Sequence, residues 1–204
     1  MAPGRAETVT PEPAQEPASP AWANLGRRQV VELTLPGVAI GLLGGVIVGV
    51  VVGGAGEPLH VALFAAVTLA VPLAAAGAGY EILLAQGRIP LGVLTPVALY
   101  WAVAFTVSRV IQTGLLDLYA GSEVAVPHGW LDFLAYQALV SVGFGIGYWW
   151  LHENFAPLWW IRIRDRNPVA DHMVGVKLQY AGALEEQREL KRQRNRASRA
   201  QRRR

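Results

Sequence analysis

Four apolar stretches of about twenty residues or more, at roughly 35–54, 59–84, 91–113 and 131–151, alternate with short polar breaks along the chain. At ~1.5 Å per residue, each is long enough to cross a ~30 Å hydrocarbon core as a helix. In the first stretch Gly37, Gly41, Gly45, Gly49 and Gly53 recur at every fourth position among Val, Ile, Leu and Ala. Such a segment is a poor helix in water, because each glycine costs ~1 kcal/mol there and β-branched residues help little. A bilayer changes the balance, since an unpaired backbone group in hydrocarbon costs several kcal/mol and enforces intrahelical bonding.

The second stretch repeats the device with Ala62, Ala66, Ala70, Ala74 and Ala78. Small residues every four positions let membrane helices approach closely. The break at residues 55–58 is too short for anything but an antiparallel return. Two arrangements follow: the two ridges pack on each other, or the glycine ridge faces another subunit.

The pattern predicts an all-α membrane protein with four transmembrane helices in two antiparallel hairpins. Residues 1–24, rich in Pro, Ala, Glu and Thr, bury too little to order themselves and are expected to form a disordered tail. The bundle is expected over residues 25–160, and residues 161–204 form a basic juxtamembrane and helical tail. Tyr148, Trp149, Trp150, Phe155, Trp159 and Trp160 read as an aromatic belt at the membrane interface, with residues 161–166 lying on headgroups beyond it.

Charge sets the expected orientation. From Arg162 onward there are 13 Lys/Arg against 5 Asp/Glu, net +8, whereas residues 1–161 carry 5 against 10, net −5. The basic residues near span ends fall before the first span, between the second and third, and after the fourth, with Arg109 the exception. The positive-inside rule then places both termini in the cytoplasm of a cell-membrane protein. The partners expected are the bilayer itself, with the basic tail on its anionic inner leaflet, and a second copy or another membrane protein. Nucleic acid is not expected, because the tail lacks aromatics for base stacking.

Ionisable groups inside spans are the default functional candidates. Arg109 lies ~11 Å from the middle of the third span at ~1.5 Å per residue, and Asp132 occupies the matching depth of the fourth. An Arg109–Asp132 ion pair is expected, with Asp117 as the alternative partner. At the other end Tyr80, Glu81, Arg88, His152 and Glu153 gather at one level, where the reading is a solvated or ion-paired cluster near water. The chain has no cysteine and no zinc-protease or phosphate-loop motif, so no metal, no cofactor and no catalytic residue is expected. The function expected is that of an interaction or accessory subunit, with a small transporter or channel component as the alternative.

Overall fold

The computed structural model describes Trp22 and residues 25–122 and 129–202; side chains are described up to residue 195. The disordered tail expected over residues 1–24 thus lies, apart from Trp22, outside the described residues. Among these residues every regular element is a helix: α1 (Arg27–Gly54), α2 (Leu59–Ala85), α3 (Leu94–Tyr119), α4 (Trp130–Ile163) and α5 (Pro168–Arg202). The first four are long and apolar enough to cross a membrane. They run alternately up and down, so the start of α1, the α2–α3 turn, the end of α4 and the start of α5 share one end of the bundle.

The α1–α2 hairpin is the most extensive helix contact, and the glycines make it. A Cβ on Gly41 would lie 2.6 Å from Ala74 N, one on Gly45 2.6 Å from Ala70 N, and one on Gly49 2.7 Å from the Ala66 methyl. At Gly53 the spacing has opened to 3.5 Å from the Ala62 methyl. Ala62, Ala66, Ala70 and Ala74 therefore lie against the glycine ridge, but Ala78 does not follow them. Four residues advance a helix by ~40° beyond a full turn, so by the end of the contact the ridge has rotated away. Gly77 stands opposite Gly37 instead, and beyond it the Glu81 Cγ lies 2.9 Å from where a Gly37 Cβ would sit.

Helix ends follow local chemistry. After α2 and α3, Gly87 and Gly121 adopt left-handed φ of +69°. The following N–H groups of Arg88 and Ser122 reach back to Leu83 O at 2.9 Å and Asp117 O at 3.0 Å, the pattern that satisfies the last carbonyls of a helix. Because the stop lies at Gly121, residues 114–119 are helical and not part of the connection expected from residue 114.

Two further expectations are corrected where α4 ends. The fourth helix does not stop near residue 151 but continues to Ile163 with Pro157 inside it. Its inward stripe, Gln137, Ser141, Gly145, Tyr148, His152, Ala156, Trp160 and Ile163, is buried throughout, and that continuous packing outweighs the hydrogen bond proline removes. Trp160 is wholly buried, not part of an interfacial belt. Of residues 161–166 all but Ile163 are exposed, and through them the chain finishes α4, turns, and starts α5 at Pro168.

Pro168 sits in the first turn, where a missing N–H costs little. Asn167 Oδ1 accepts the N–H groups of Val169 at 3.2 Å and Ala170 at 3.3 Å. Val169, Ala170, Met173 and Val174 then join the core and close this end of the bundle. Asn167→Ala is expected to cost about 1 kcal/mol through the lost cap. Amide hydrogen exchange should rise in the first turns of α5 and, because Asn167 Nδ2 also donates to Gln29 O, in the first turn of α1, and stay unchanged in α3.

Candidate functional site

Glu81 of α2 and His152 of α4 meet inside the bundle, with His152 Nε2 2.9 Å from Glu81 Oε1. Their side chains are 0% and 1% exposed. Near-complete burial decides between the two forms expected of this cluster: the residues are paired, Glu81 with His152, and the pair is not solvated. The reason is tertiary, since the extension of α4 and the docking of α5 carry the protein boundary past the level at which α2 ends.

Each partner arrives on a periodic stripe. On α2, Leu73, Gly77 and Glu81 succeed one another every four residues on the face turned to α1. On α4, His152 continues the stripe from Gln137 to Trp160. Aromatic rings complete the enclosure. The His152 ring stacks on Tyr148, with centroids 5.8 Å apart and planes at 15°, and meets the edges of Tyr80 at 5.1 Å and Trp160 at 5.6 Å. Trp101 packs on Tyr148 at 4.4 Å and Phe144 on Trp101 at 4.8 Å, which extends the aromatic column toward the middle of the bundle.

The enclosure is incompletely satisfied. Glu81 Oε2, the Tyr148 hydroxyl and the Nε1 atoms of Trp101 and Trp160 are buried without a hydrogen-bond partner among the described residues. Buried polar atoms are rarely left unpaired, and each costs ~1–3 kcal/mol. Of the other residues expected at this level, Glu153 pairs with Lys177 of α5, which seats the tail helix. Arg88 is exposed on the α2–α3 turn.

A second polar cluster lies toward the opposite end. Arg109 donates through Nε to Gln137 Oε1 at 3.3 Å and through its terminal nitrogen to Gln112 Oε1. Gln112 Nε2 in turn donates to Ala65 O at 2.8 Å, so α2, α3 and α4 are tied at one level. No ion pair joins Arg109 to Asp132 among the described residues, and the expected pairing is corrected. Depth alone suggested it, but Asp132 is five residues from Gln137, or about 140° round a helix of 3.6 residues per turn. It therefore stands exposed on another face of α4.

A third network ties α1 to the α4–α5 corner. Glu32 accepts from Arg28 at 3.1 Å and from Arg166 at 2.9 Å, and its carbonyl accepts from Trp159 Nε1 at 2.7 Å. Gln29 Nε2 donates to Arg166 O at 2.6 Å, and Asn167 Nδ2 to Gln29 O at 2.9 Å. No group of His, Asp and Glu able to hold a metal ion occurs among the described residues. Between α1 and α4 runs an apolar groove of about 420 Å³ lined by Leu35, Pro36, Leu43, Phe155 and Trp159, on the outer surface of the helices.

Fold and site together define an all-helical, multi-pass membrane protein with a buried acid–base pair near the end of its bundle at which α4 passes into α5. No protein-family model matches the chain, and neither the curated proteins nor the solved structures contain a match to it.

Proposed function

We propose that this protein is an interaction or accessory subunit of the cell membrane, with both termini cytoplasmic, acting through a helix face and not as an enzyme. The observation that carries the reading is the outer face of α4. Gly145 packs inward, its Cβ position 3.5 Å from Ala98 Cα, whereas Gly143 and Gly147 have nothing within 4 Å. Two residues along a helix is ~200° round it, so these two glycines form a small-residue notch on the opposite side. Around them Leu139, Val142, Ile146 and Trp150 are exposed.

On α1 the same spacing is occupied by α2. On α4 nothing among the described residues fills it, and lipid tails gain little from a notch that another helix would fill by close packing. The occupant favoured is α4 of a second copy, because a two-fold axis sets such a stripe against itself. The C-terminal sequence fits the same picture. From Arg188 onward the chain carries nine Lys/Arg against one Asp/Glu, and beneath an anionic leaflet each basic residue contributes about 1 kcal/mol of attraction.

The second reading, a small transporter or channel component, rests on the buried Glu81–His152 pair, since intramembrane ionisable groups commonly mark pathways. The glycine ridge does not support it, because α2 covers that ridge. The two readings separate in one experiment on the full chain in nanodiscs and proteoliposomes. For the subunit reading, single-molecule counting in nanodiscs gives two copies, and Gly143→Leu with Gly147→Leu weakens association roughly tenfold, about 1.4 kcal/mol, with helicity unchanged. A single copy together with ion or solute flux in proteoliposomes overturns that reading.

A further inference from the structure

We infer that Glu81 and His152 form a proton-binding site: one proton is shared across their contact, and a second is taken up at the free carboxyl oxygen. The subunit reading neither requires nor supplies this inference.

A pair that served only as a strut would be expected to engage both carboxylate oxygens, because a buried ion pair offsets its desolvation only when its remaining lone pairs are bonded. Here Oε1 faces His152 Nε2 at 2.9 Å, while Oε2 has no partner among the described residues. The Tyr148 hydroxyl, on the ring stacked against His152, has none either. The site thus holds unused acceptor and donor capacity beside a carboxyl that can itself change protonation.

With one proton between them the two groups carry no net charge, whichever of them holds it. Protonation of Oε2 makes a neutral carboxylic acid and leaves imidazolium, a net change of +1. The proton comes from water at the α5 end of the bundle and returns there, and only O–H and N–H bonds change. An isolated imidazolium in an apolar interior would be costly, but the Tyr148 ring is stacked on the His152 ring with centroids 5.8 Å apart. That is within the ~6 Å over which a ring face attracts a cation.

The groups around the pair leave its charge to be set from one side. From α2 comes Tyr80, from α3 Tyr100 beside Tyr80, and from α4 Tyr148 and Glu153. The α5 helix contributes Lys177, paired with Glu153 and partly exposed, and carries His172 on its exposed side. Facing Glu81 from α1 is Gly37, which has no charge to offer. The Glu153–Lys177 pair is partly exposed.

Infrared difference spectroscopy on the full chain in phosphatidylcholine nanodiscs tests the assignment. Acidification is expected to raise a high-frequency carboxylic-acid band that shifts in D2O and is absent from Glu81→Gln. Its pH midpoint should move by more than one unit in His152→Gln. Should Glu81→Gln fail to fold, Tyr148→Phe keeps the ring and the pair and removes only the neighbouring hydroxyl, and the D2O-sensitive band should change its midpoint there. The inference is overturned if acidification gives no D2O-sensitive band of this kind. It is equally overturned if the band survives Glu81→Gln, or if its midpoint is unmoved in both His152→Gln and Tyr148→Phe.

Discussion

Gly41→Leu is expected to abolish the folded bundle. A Cβ at position 41 would lie 2.6 Å from Ala74 N and a similar distance from the Leu73 carbonyl carbon. These are backbone atoms of α2, so no rotamer change relieves the clash; the helices themselves must separate. Overpacking a core by extra carbons costs ~1–3 kcal/mol where side chains can adjust, and more is expected here. Separation would also strip the close packing that holds membrane helices together in the absence of a hydrophobic driving force between them. Size-exclusion chromatography in mild detergent should show loss of the monodisperse peak, with retained helicity by circular dichroism marking failure of packing and not of the helices. Gly53→Ala is the control: its Cβ would stand 3.5 Å from the Ala62 methyl, an ordinary contact, so stability should stay close to wild type. If Gly41→Leu and Gly53→Ala behave alike, the hairpin does not depend on the ridge.

The second large effect concerns the buried pair. His152→Leu is expected to destabilise by about 3–5 kcal/mol, because it leaves Glu81 buried and without its partner. Adding Glu81→Leu should recover much of that loss, since well-packed apolar residues often replace a buried ion pair at little cost. Equilibrium unfolding by sodium dodecyl sulfate, run as a double-mutant cycle, reads the coupling directly. A double mutant as unstable as the sum of the two singles would show that the side chains act independently, through packing alone. Strong coupling would set the pair apart from Arg28–Glu32, which lies on the outside with the Arg28 side chain 84% exposed. Exposed pairs of that kind contribute ~0–1 kcal/mol.

Much of the architecture was legible in residue order. Four apolar stretches of spanning length, separated by short polar breaks, require helices in a bilayer and alternating directions. The glycine and alanine spacings marked which faces of the first two helices are small. Helix stops were less legible: α3 runs to Tyr119 because the left-handed Gly121 terminates it, and α4 runs to Ile163 because its inner stripe stays packed. Both ends depend on partners that an apolar window does not weigh. The site was partly visible. Glu81 follows Leu73 and Gly77 at intervals of four, and His152 follows Gln137, Ser141 and Tyr148 on one helical face, so their stripes were readable as candidates for burial. Their enclosure was not, because it depends on α5 folding back over the end of the bundle. For Arg109, depth pointed to Asp132, whereas rotation about α4 selected Gln137.

By itself, residue order determined the medium and the elements: segments this long, this apolar and this rich in glycine become helices where their backbones have no water to bond. Only the tertiary structure decided which residues share an interior. Position along a helix sets depth, but contact also needs matching rotation, and rotation is chosen by how all the helices pack together. That choice set Gly37 opposite Gly77, seated Glu81 behind it, and brought His152 within hydrogen-bonding distance across the bundle.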